Sequence, residues 1–109
     1  MSFLRHFIRR VGTLPPEPLP DAAQIPRDGL PPVVRELASK DRRFVVLVSI
    51  DHEKIFRGHS FTWFTHADDD VWSAVWTHHD FAIFTDDCSV VIGEAERQIE
   101  TYEKEHSVV

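Results

Sequence analysis

All seven prolines of this 109-residue chain fall between Pro15 and Pro32. Proline has no backbone N–H and a fixed φ, so a stretch this dense in it can supply neither a helix interior nor a central strand. The run Pro15-Pro16-Glu17-Pro18-Leu19-Pro20 favours an extended polyproline conformation. Such a segment reads as a spacer, rising about 3 Å per residue. The chain therefore divides into a basic amphipathic segment at 1–12, a proline-rich linker at 13–32 and a single α+β domain at 33–109.

About 75 residues are left for that domain, close to the size at which one hydrophobic core is only marginally stabilising. Aromatic residues compensate. Of twelve in the chain, eight crowd between Phe56 and Phe84, and such side chains bury the most apolar area each. Trp63 shares strand parity with Phe61 and is expected in the core. The eight are too many for one face of a small sheet, so either both faces are packed or one meets a partner.

The pattern after the linker is mixed. Val33 to Ala38, opened by Pro31-Pro32, reads as a short helix, because proline is tolerated in a first helical turn. Phe44 to Ile50 is a near-continuous β-branched run suited to a central strand covered on both faces. Lys54 to Thr65 alternates aromatics, with Gly58 marking a bulge, and 66–70 reads as a loop. Residues 71–78 match both a strand and a short helix, and the Val, Trp and Thr content favours the strand. Phe81 to Thr85 reads as a further strand. From Cys88 the apolar positions fall at helical spacing with Asp86 and Asp87 as N-caps. The rival reading places a hairpin turn at those aspartates, another strand at 89–92 and the helix start near Gly93. The fold class is thus α+β: a small, mostly antiparallel sheet of three to five strands, a short N-terminal helix and a long C-terminal helix on one face.

Charge and cysteine content narrow the function classes. The net charge of −6 is distributed as +3 over 1–12, −2 over 13–32 and −7 over 33–109. An acidic body argues against nucleic acid, whose phosphates need a basic face. The single cysteine, Cys88, cannot form an intramolecular disulfide, which together with the absence of a signal-like or membrane-spanning apolar run predicts a cytoplasmic protein. Between two aspartates and an apolar helix face, Cys88 reads as a core residue and not as an activated thiolate.

No sequence motif specifies a reaction. Four scattered glycines make no phosphate loop, and no nucleophile elbow is present. His66, Asp68 and His78 are the residues that could hold a metal, since histidine with carboxylate suits zinc, manganese or iron. Their spacing matches no catalytic metal motif, and the acidic run 68–70 lacks the glycine and closing glutamate of a calcium loop. Asp68 to Asp70 are expected to be exposed and to hold no metal. No cofactor is expected.

The reading that remains is a non-catalytic protein-interaction module, of the kind used by small inhibitors, immunity-type proteins and adaptors. Its alternative is a small metal-dependent enzyme or metal-binding protein using His66, Asp68 and His78. The partner is a protein or a second copy of the chain. Residues 3–11 have one apolar face, with Phe3, Leu4, Phe7 and Ile8 assigned to partner contact, and one basic face carrying three arginines. A helix this short is marginal alone and must dock to persist. Its small area argues against a membrane role. Trp72 and Trp76 complete the candidate contact set.

Overall fold

The computed structural model describes residues 15–106. The segment carrying Phe3, Leu4, Phe7 and Ile8 lies outside the described residues. The chain forms a four-stranded antiparallel meander in the order β1-β2-β3-β4, with β1 at Val33–Ala38, β2 at Phe44–Ile50, β3 at Phe56–Asp68 and β4 at Val71–Thr85. The helix α1 follows at Cys88–Glu105.

The strand β2 is the centre of the molecule. Val45 to Ser49 are all buried, because one face of the sheet packs on α1 and the other lies beneath the proline-rich segment. Val46 and Val48 meet Val91 and Ala95 of α1, with Phe44, Phe56, Phe81, Cys88 and Ile99 around them. Val45 and Leu47 join Phe61, Trp63, Trp76 and Ile25 on the opposite face. This is the two-faced burial that a continuous apolar strand implies.

The helix begins as its cap predicts. Asp87 is the N-cap, its carboxylate accepting from the backbone N–H and the hydroxyl of Ser89 at 3.0 and 2.6 Å. The favoured strand reading of 71–78 also holds, within one strand that continues to Thr85. Gly58 does mark a bulge, where the register slips between Arg57 and His59. A Cβ at Gly58 would lie 2.3 Å from the Phe81 ring, so only glycine admits that ring against the strand.

Two local readings are corrected. Val33–Ala38 is a strand and not the short N-terminal helix, since β2 offers it a ladder that places Leu37 in the helix-side core and Val33 in the opposite one. The prolines before it cost no ladder bond at a strand entrance. Among the described residues, the helical structure before the sheet is one 3-10 turn at Ala22–Gln24, capped by Asp21. The expected loop at 66–70 shrinks to a turn at Asp69 and Asp70 between β3 and β4, with Asp69 at φ 58°, a left-handed conformation that aspartate tolerates better than most residues.

Candidate interaction surface

The proline-rich segment from Pro15 lies along one face of the β3–β4 hairpin as a strap. A polyproline chain makes no internal hydrogen bonds, so its carbonyls need outside donors, and a buried indole N–H needs an acceptor. Each need meets the other here. The indole N–H of Trp63 donates to the Pro18 carbonyl at 3.2 Å, that of Trp72 to Pro15 at 2.7 Å and that of Trp76 to Asp21 at 3.1 Å.

Glu17 adds a charged tie, accepting from the Arg43 guanidinium at 3.1 Å and from the Thr65 hydroxyl. The hydrogen bonds from Arg43 and Thr65 hold its carboxyl below the usual carboxylate range. Ile25 then closes the strap over Leu47 and Phe61, only 3% exposed. Trp76 is therefore buried and Trp72 half-buried, both bound to the strap.

The opposite face of the hairpin differs. Residues of even number on β3 and their partners on β4 point toward the α1 side, but the helix stops short of the hairpin tip. The cleft between α1 and β3 ends beside Thr62, lined by Arg97, Gln98 and Thr101. Beyond it Phe64 is 62% exposed, with Val75 opposite it and Val71 farther out, both also exposed. The His66–Ser73 pair sets Val71 apart, and Phe64 and Val75 form an exposed apolar pair that the sequence reading did not assign. Its signal was present in the parity of Phe64, opposite to that of Trp63, yet the reach of the helix was needed to show that the even face is left open.

The metal-candidate residues are not brought together. His66 pairs with Ser73 and His78 with Phe61, so the two histidines lie on opposite faces and about 17 Å apart along the hairpin at a strand's rise per residue. His78 stacks on Phe61 with ring centroids 4.6 Å apart. Among the described residues no group of three potential ligands converges. Asp68 and Asp69 are exposed and Asp70 is half-buried.

Two other polar arrangements escaped the sequence. Ser49 Oγ lies 2.8 Å from His59 Nε2 across β2 and β3, a spacing that suits a nucleophile and its base. Ser49 is fully buried and His59 is 6% exposed, so no substrate reaches the hydroxyl and the pair is a satisfied core contact. At the far end of α1, Tyr102 stacks between Phe44 and His106 and donates its hydroxyl to Asp41 at 2.9 Å. Burial and that bond push its hydroxyl up to about 12. Burial raises the Asp41 carboxyl, but hydrogen bonds from Ser39, the Arg43 N–H and Tyr102 outweigh it and hold the group low. This cluster ties the β1–β2 turn to the helix.

No family model matches the chain, and no curated protein or solved structure matches it either. The class defined by the fold is an α+β four-stranded antiparallel meander with one C-terminal helix. Among the described residues no helix is long and apolar enough to cross a membrane.

Proposed function

We propose that this chain is a non-catalytic protein-interaction module, an inhibitor, immunity-type protein or adaptor, and that it binds through the open face of the β3–β4 hairpin. One observation carries the reading: Phe64 and its cross-strand partner Val75 stand exposed together, while Trp63 and Trp76 on the other face of the same hairpin are buried beneath the strap. Clustered exposed apolar side chains on a rigid sheet are the composition of an interface core. The sheet beneath is braced by the strap, so the surface is presented with little ordering cost.

The experiment is retention of proteins from the native host's extract on the immobilised full chain and on two variants. Phe64→Glu places a charge in the exposed pair, whereas Val34→Glu alters an exposed residue on β1. A protein retained by the wild type and by Val34→Glu but lost with Phe64→Glu supports the reading. Equal retention by all three, or by none, overturns it.

A further inference from the structure

We infer that the occupant of the hairpin's outer edge is a second copy of this chain, paired antiparallel to it through β4 with Ala74 on the two-fold axis. The inference rests on the interaction reading above and names one partner for the same hairpin.

The geometry begins with the direction of the backbone groups. The Trp63 N–H donates to the Arg43 carbonyl at 2.7 Å, toward the β2 side. Trp63 faces Trp76 in the register, and in an antiparallel ladder the residues opposite each other alternate between bonded and non-bonded pairs. Trp76, and with it Ala74 and Trp72, therefore turn N–H and C=O away from β3. Among the described residues none of these groups has a partner.

The two edges of the sheet are unlike. Strand β1 is short, is preceded by Pro31-Pro32, carries Arg35 and Glu36 and shifts register between Val33 and Arg35. Glu36 is further held by Arg27 at 3.0 Å. These are the devices that block edge pairing. From 71 to 79, β4 has none of them: no proline, no lysine, arginine, aspartate or glutamate, and no register shift until the bulge near Phe81. An edge of that length that carries no acidic or basic side chain other than histidine and is unpaired among the described residues is a pairing site.

Self-pairing is favoured over a foreign strand by complementarity along the edge. With Ala74 opposite its own copy, Trp72 meets Trp76 of the second chain and Ser73 meets Val75. Asp70 and Asp69 at the turn come level with His78 and His79 of the second chain, favourable neighbours beside the acidic Asp68 and Asp80 at the two ends of the pairing. The outward groups of Trp72, Ala74 and Trp76 then bond to those of the copy, giving one continuous eight-stranded sheet. The two Phe64–Val75 pairs fall on one face beside the junction.

The test is the mass of the full chain in solution over a concentration series, by light scattering and sedimentation. The wild type is expected at twice 12.6 kDa. Ala74→Pro removes an outward N–H without touching the β3 ladder, and proline is accommodated on an edge strand in this position. It is expected to return the mass to one chain with an unchanged far-UV spectrum. Val75→Lys, on the opposite face, guards against a folding defect in the proline variant and is expected to weaken association at least tenfold. A wild type that stays at one chain throughout overturns the inference, and so does a dimer that survives both substitutions. A monomeric wild type that becomes dimeric on deletion of residues 1–14 overturns it in favour of that segment as the occupant. If the wild type is monomeric and Phe64→Glu still loses a host protein, the second copy is wrong while the interaction module stands.

Discussion

Trp63 and Phe64 are neighbours on one strand, yet the first is 7% exposed and the second 62%. The difference is not one of hydrophobicity. It comes from what lies over each face of the hairpin: on the Trp63 side a strap of extended chain whose carbonyls accept three indole N–H groups, and on the Phe64 side a helix that ends near Thr62. Among the described residues one helix covers the sheet near its base, and it does not reach the hairpin tip. Extended chain can seal a tryptophan-rich face because each component satisfies the polar groups that the other must bury.

The strap side offers the largest test. Trp63→Ala should lower stability by about 3–5 kcal/mol in urea unfolding, the usual cost of truncating a buried aromatic. A loss below about 1 kcal/mol would show that the strap does not bury this face. Ile25→Ala removes the strap's own anchor and should cost about 2–4 kcal/mol. It should also raise the accessibility of the tryptophans to an aqueous fluorescence quencher, a change that a purely local cavity would not produce.

The covered base of the other face gives an intermediate effect. Gly58→Ala forces the Phe81 ring off the strand and should cost about 1–3 kcal/mol, as overpacking does. Equal stability of the variant and the wild type in thermal melts would mean that the ring has an alternative seat.

A smaller effect is expected from pH. Glu17 titrates below its ordinary value of 4.5 in the folded chain because of Arg43 and Thr65. A depressed carboxylate adds stability above its unfolded pKa and loses that contribution as pH falls through the folded one. The difference in melting temperature between wild type and Glu17→Gln should be present at neutral pH and close as the solution is acidified below 4.5. A difference independent of pH would remove charge from the strap's attachment.

The open face should give the smallest effect. Phe64→Ala in the Ala74→Pro background is expected to change stability by no more than about 0.5 kcal/mol, as surface substitutions do. A cost as large as that of Trp63→Ala would erase the contrast between the two faces.

The signals legible in the sequence were those that act over a few residues. The Asp87 cap, the covered strand at 44–50, the bulge at Gly58 and the extended proline run each depend on local sterics or on periodicity. The burial of Trp63 followed from its parity with Phe61. The strand at 33–38 was not legible, because six residues with apolar positions at both ends suit a helical turn and a strand alike, and only the β2 ladder decides between them. The Ser49–His59 contact depends on a register between two strands, which no single segment specifies.

Sequence by itself determined that residues 15–20 would be extended and that the hairpin would be rich in aromatics. Tertiary structure alone decided that the first would lie across the second, that Trp63 and Trp76 would be buried beneath it and that Phe64, Val71 and Val75 would be left in the open. Local propensity sets the conformation of a segment through its own sterics. Where the segment comes to rest depends on polar groups and apolar area held by residues some 45–57 positions away.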